Sequence, residues 1–131
     1  MNRLLGLALG AAVLASTSLA FAAKNPEKVV SGKDKAVITV KKGTDVVVKF
    51  LGNPSAGYHW VVTAVDRSLG QPETTFQRSS MAIGSGGVAA FRWKTGGPFA
   101  SVGAHIVKME YKRPWERTSL KKIKFTIKIT E

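Results

Sequence analysis

The residues able to do chemistry in this chain are few and badly placed for catalysis. It has two histidines, eight carboxylates and no cysteine. His59 and His105 each lie in a strand-like stretch with no partner at ligand spacing, and neither belongs to a zinc-type motif. The carboxylates are scattered, with no pair set for acid–base work. Serines are plentiful, but no G-x-S-x-G elbow presents one as a nucleophile. Without cysteine there is no thiolate nucleophile or thiolate metal site. An enzyme is therefore not expected, nor a metal site, nor a cofactor.

Recognition chemistry fits better, and three segments concentrate it. Asn53-Pro54-Ser55-Ala56-Gly57-Tyr58 joins a turn-tolerant residue, a proline of fixed φ and a glycine free to take positive φ. That makes either an ordinary connecting turn or a stiff projection that loses little entropy on docking. Gly84-Ser85-Gly86-Gly87 has almost no side chain, so its backbone can meet a partner closely or simply turn a hairpin. A phosphate cradle would need a following helix or a basic residue in the motif, and Val88 begins a strand instead. Arg113-Pro114-Trp115-Glu116 sets a tryptophan beyond a proline, between charges and away from any periodic apolar face. A constrained, exposed tryptophan is a typical interface anchor. Trp60 and Trp93, in alternating segments, read as core.

The elements that hold these segments are strands. Residues 36–41, 45–51, 58–65, 73–80, 88–95, 105–111 and 121–130 alternate with period two, rich in β-branched and aromatic residues and separated by Gly, Pro and Asn clusters. Residues 24–34 read as a polar lead-in. No stretch after the leader holds helical periodicity over ten residues. The pattern predicts an all-β, immunoglobulin-like antiparallel β-sandwich of seven to eight strands, with His105 on a sandwich face and His59 at the rim or surface. If successive strands run up and down, the connections after the second, fourth and sixth emerge at one end. Those connections are the three segments above.

Residues 1–22 read as a secretory signal peptide: Arg3, an apolar stretch from Leu4 to Ala15, and Ala20-Phe21-Ala22 in the small-x-small pattern of a cleavage site. The apolar stretch is shorter than the roughly 18 to 20 residues that cross a bilayer. Cleavage near Ala22 predicts a periplasmic or secreted domain over 23–131 without stable membrane insertion. Lacking cysteine, it must be held by packing alone.

The net charge of +12 favours anionic partners, although lysines alternating with core residues also keep strand edges unpaired and soluble. One reading of the whole is thus a basic exported binding or adhesion module for anionic surfaces, carried by Lys122, Lys124 and Lys128 of the last strand. A small-ligand carrier would need a cavity that composition does not reveal.

In order and spacing, the three segments resemble the chagasin family of reversible inhibitors of papain-type cysteine peptidases. The match runs through Asn53 to Tyr58 with Trp60 following, Gly84 to Gly87 with Phe91 following, and Arg113 to Trp115. The stretch from Gly103-Ala104-His105 to Trp115 is similar to the family's sixth strand and its loop. The resemblance implies an immunoglobulin-like sandwich whose loops form a wedge against a papain-like cysteine peptidase, acting as a monomer with no nucleic acid involved. Asn53, Pro54, Ser55, Ala56 and Gly57 would fill the active-site cleft, and Gly84, Ser85, Gly86 and Gly87 would make backbone contacts. Arg113 and Pro114 would shape the third loop, and Trp115 would stack on an aromatic of the peptidase. Tyr58 and Trp60 would support the first loop. Ser55 and Ala56 stand where the family has two threonines, which implies altered potency or selectivity.

Overall fold

The computed structural model describes residues 25–53, 56–79 and 86–131. Eight strands follow in order: β1 (Glu27–Ser31), β2 (Val37–Lys41), β3 (Asp45–Gly52), β4 (His59–Val65), β5 (Glu73–Arg78), β6 (Gly87–Trp93), β7 (Gly103–Lys112) and β8 (Lys121–Thr130). They form two four-stranded sheets, ordered β1-β3-β6-β5 and β2-β8-β7-β4. Period-two alternation generates the core between them. Val46, Val48, Phe50, Phe91 and Trp93 of the first sheet face Ile38, Val107, Met109, Phe125, Ile127 and Ile129 of the second.

The expected sandwich is present, with two differences. Residues 24–34 include β1, which pairs with β3 in register Val29↔Val47. Its alternation is faint because it is an edge strand, with Val30 as its contact to the core. Both β1–β3 and β2–β8 are parallel pairs, so the sheets are mixed and not purely antiparallel. Alternation reports which face a residue takes and says nothing of strand direction, so this pairing left no trace in the pattern. The remaining pairs, β3–β6, β5–β6, β4–β7 and β7–β8, are antiparallel.

That topology positions the loops. The connections β3–β4, β5–β6 and β7–β8 leave the sandwich at one end. Gly52 sits opposite Gly87 across β3–β6, and His59 opposite Lys112 across β4–β7, so all three connections start from adjoining strand ends.

Candidate functional site: a loop rim on an aromatic column

The rim is supported by a file of rings rising out of the core. Trp93 meets Phe125 edge-on at 5.9 Å and lies 6.3 Å from Phe91. Phe91 contacts Phe50 at 5.7 Å, Phe50 meets Trp60 at 4.5 Å, and Trp60 meets Tyr111 at 5.0 Å. Tyr58 stacks on Tyr111 at 5.5 Å, and the Arg113 guanidinium lies 4.4 Å above the Tyr58 ring. Aromatic pairs of this kind contribute about 0.5–1.5 kcal/mol each beyond area burial. The polar tips are used as well: the Trp60 indole N–H donates to the Leu51 carbonyl oxygen at 3.1 Å, and the Asn53 N–H donates to the Tyr111 hydroxyl at 3.1 Å. Tyr58 and Trp60 thus lie directly beneath the first loop. Trp60 is half-buried against the core, whereas Trp93 is fully inside it.

The first and third loops are joined to each other. Arg113 Nε donates to the Ala56 carbonyl oxygen at 3.0 Å, while its guanidinium also faces Glu116 at 3.5 Å and lies 5.9 Å from the Trp115 ring. The Ala56 N–H donates to the Asn53 carbonyl oxygen at 3.2 Å and the Glu116 N–H to that of Arg113 at 3.0 Å, so each loop contains a turn. The Leu120 N–H closes the third loop onto the Tyr111 carbonyl oxygen at 2.9 Å. Gly57 has φ +87°, and a Cβ there would come within 2.7 Å of Trp115 Cη2. Glycine is required both by that backbone and by the indole lying over it. Trp115 is nonetheless 71 % exposed. Where β6 begins, the backbone runs close to the end of β3: a Cβ on Gly86 would lie 2.9 Å from the Gly52 carbonyl oxygen.

Of the residues expected at the rim, the structure gathers Asn53, Ala56, Gly57, Gly86, Gly87, Arg113, Pro114 and Trp115 at this end, with Tyr58 and Trp60 under them. Pro54, Ser55, Gly84 and Ser85 lie outside the described residues. Two supports were not singled out from sequence, Tyr111 and Phe50. Both occupy inward phases of clear strands. Their contact with Trp60 depends on the register Trp60↔Tyr111 and on the second sheet lying above, neither of which alternation reveals. An apolar cleft of about 230 Å³ opens beside the column, between the edge strands β4 and β5, and Phe76 borders it.

The opposite end carries a cluster with the composition of a hydrolase triad. His105, buried, donates from Nδ1 to Asp66 Oδ2 at 2.6 Å and from Nε2 to the Ser101 carbonyl oxygen at 2.7 Å. Ser68 Oγ donates to Asp66 Oδ1 at 2.9 Å and stands 3.2 Å from the same Nδ1. A triad needs serine and aspartate on opposite ring nitrogens. Here both meet one nitrogen, and the other is taken by backbone, so the cluster is a clasp. Burial pushes the Asp66 carboxyl up, but hydrogen bonds from His105, the Leu69 N–H and Ser68, with the charge of His105, outweigh it and hold the carboxyl below its ordinary value. His105 does face into the sandwich, and His59 is exposed at the rim. Among the described residues, no group of three or more His, Asp or Glu side chains could hold a metal ion.

Comparison with known proteins agrees with this architecture. A crystal structure of the cysteine protease inhibitor EhICP2 from Entamoeba histolytica superposes with a TM-score of 0.67 at 20 % identity, covering 80 % of this chain and 96 % of that one. The solution structure of Amebosin gives 0.58 at 21 % identity, covering 79 % and 99 %. PbICP-C, solved in complex with falcipain-2, gives 0.50 at 14 % identity, covering 82 % and 92 %. No curated protein sequence matches. The family described as "Chagasin family peptidase inhibitor I42" matches residues 39–129, from within β2 to Ile129 of β8. A sandwich that gathers three loops onto one rim, and a sequence that follows this family through seven of its eight strands, place the chain in the chagasin family of peptidase inhibitors.

Proposed function

We propose that the chain is a reversible, non-covalent inhibitor of papain-like cysteine peptidases that blocks the active-site cleft with its rim. The observation that carries this reading is the clasped pair of loops: Arg113 locks onto the Ala56 carbonyl oxygen and Tyr58, and Trp115 stays 71 % exposed above Gly57. An exposed tryptophan on a backbone already held in place loses little freedom on docking, which is how hot-spot anchors gain affinity. Membership of a peptidase-inhibitor family supports the reading, as does the structural likeness to a cysteine protease inhibitor and to a protein solved bound to falcipain-2. Inhibition would work by occlusion of the cleft, without a covalent bond to the peptidase. Asn53 to Gly57 would enter the cleft, Gly84 to Gly87 would lend backbone contacts, and Trp115 would stack on the peptidase. The protein would act as an exported monomer after removal of the leader near Ala22.

The test is a titration against papain and a cathepsin-L-like peptidase, with a serine peptidase as control. Stoichiometric and reversible loss of the two cysteine-peptidase activities is expected, with the serine peptidase untouched. A folded protein that leaves both cysteine peptidases fully active at micromolar concentration would overturn the proposal.

A further inference from the structure

The outer faces of the two sheets differ in a way the rim does not use. The outer face of the β1-β3-β6-β5 sheet pairs most of its charges: Arg92 bridges Glu27 and Asp45, the latter at 2.8 Å, and Lys94 reaches Glu73 at 3.6 Å, which leaves Lys49 without an ion-pair partner among the described residues. The β2-β8-β7-β4 sheet presents Lys41, Lys108, Lys112, Lys122, Lys124 and Lys128 on its outward phase, each one residue out of step with the core positions. The strands of that sheet carry one carboxylate on this face, Glu110, which accepts from the Ser119 hydroxyl. At its margin Asp34 accepts from the Lys124 backbone N–H at 2.9 Å. None of the six ammonium groups has an ion-pair partner among the described residues.

The register sharpens the point. Lys108 lies directly opposite Lys124 across β7–β8, and like charges so placed destabilise a sheet. The next rank on the same face is Val37–Thr126–Ile106, with Val37 64 % and Ile106 50 % exposed, and the rank after it holds Lys128. Lysines therefore flank two exposed aliphatic side chains, Val37 and Ile106, set on either side of the half-buried Thr126, on a surface about 15 Å wide and about 30 Å long. The four strands contribute no arginine, and their Trp60, Tyr111 and Phe125 lie in the inward phase, so the face lacks bidentate forks and has one ring, the His59 imidazole at its rim edge, against the several stacked rings that hold nucleic acids. Hydrated point charges around exposed aliphatic side chains suit a planar, amphiphilic and anionic partner.

We propose that this sheet face is a docking surface for an anionic phospholipid bilayer. Lysine ammoniums would meet headgroup phosphates, and Val37 and Ile106 would rest at the interfacial level. The strands would lie along the bilayer, leaving the rim at their ends uncovered. The proposal is independent of what the rim binds.

The protein, purified as the expressing cell leaves it, is to be sedimented with vesicles of phosphatidylglycerol and phosphatidylcholine and with vesicles of phosphatidylcholine alone. Binding to the anionic vesicles only is expected, weakening as salt shortens the Debye length. The pair Lys108→Gln and Lys124→Gln should lower partitioning roughly tenfold or more, given roughly fivefold for each lysine at an anionic surface. The charge-matched pair Lys28→Gln and Lys49→Gln, on β1 and β3 of the other sheet, should change it less than about twofold. All four positions are exposed, and circular dichroism checks that both variants are folded. Equal losses from the two pairs would mean that net charge acts without a face, and would overturn the proposal. Absence of vesicle binding, or tighter binding to a single-stranded RNA or heparin at the same salt, would overturn it too.

Discussion

The two ends of the sandwich are held by different physics. At the end opposite the rim, buried or half-buried polar groups pin the connections: His105 holds Asp66 and the Ser101 carbonyl oxygen, Trp93 Nε1 donates to the Gly70 carbonyl oxygen at 3.1 Å, and Thr95 bridges to the Gly43 N–H and the Thr44 carbonyl oxygen. At the rim, stacked rings and one arginine carry the loops, and the largest side chain of the third loop is left outside. The contrast separates an end built for stability from the end proposed above for recognition. One end uses its hydrogen bonds internally. The other keeps an indole and loop backbone available, on a base stiff enough to present them.

The largest expected effect tests the pinned end. His105→Ala strips Asp66 and the Ser101 carbonyl oxygen of their donor and should cost about 2 kcal/mol in denaturant unfolding, below the full figure for a buried pair because Asp66 is partly exposed. Peptidase inhibition should survive wherever the variant is folded. The same clasp predicts an acid limb. The folded carboxyl of Asp66 is held below its ordinary value of 3.8, so its contribution is complete above that value and is lost as pH falls through the lower folded one. Asp66→Asn should flatten the dependence of stability on pH in that range. An unaltered acid limb would remove the clasp from the account.

The converse change sits at the rim. Trp115→Ala should weaken peptidase binding by at least ~30-fold, about 2 kcal/mol, and leave unfolding within about 0.5 kcal/mol of the parent. If stability fell and affinity held, the two ends would have their roles reversed. The smallest expected effect is Ala56→Thr, which restores a hydroxyl and a methyl next to the Arg113 clasp. A shift of about 0.5–1.5 kcal/mol in inhibition constants is expected, unequal among several papain-like peptidases. Unchanged constants across such a panel would show that position 56 does not set selectivity.

Much of this was legible along the chain. Strands β2 to β8 fall within two residues of the stretches marked by alternation, most clearly β2, β7 and β8, where one face is buried and the other exposed. The gathering of three connections at one end followed from counting reversals, and the added strand β1 did not disturb it, since it lies before the first of them. What stayed hidden involved contacts between sheets or between distant positions. Tyr111 looked like one more inward residue, yet it joins Trp60, Tyr58 and the Asn53 N–H. His105 looked like a face residue, and nothing near it in sequence announces Asp66, 39 residues away.

By itself, the sequence determined the all-β class, the sandwich, the three rim segments and their likeness to the chagasin family, because period-two burial and turn chemistry are local properties. Only the tertiary structure decided the mixed sheets, the aromatic column, the seating of Trp115 over Gly57 and the unpaired lysine face. Each of these depends on which strands become neighbours and in what register. A one-residue slip would exchange inward and outward sides, so such features exist only once the pairing is set.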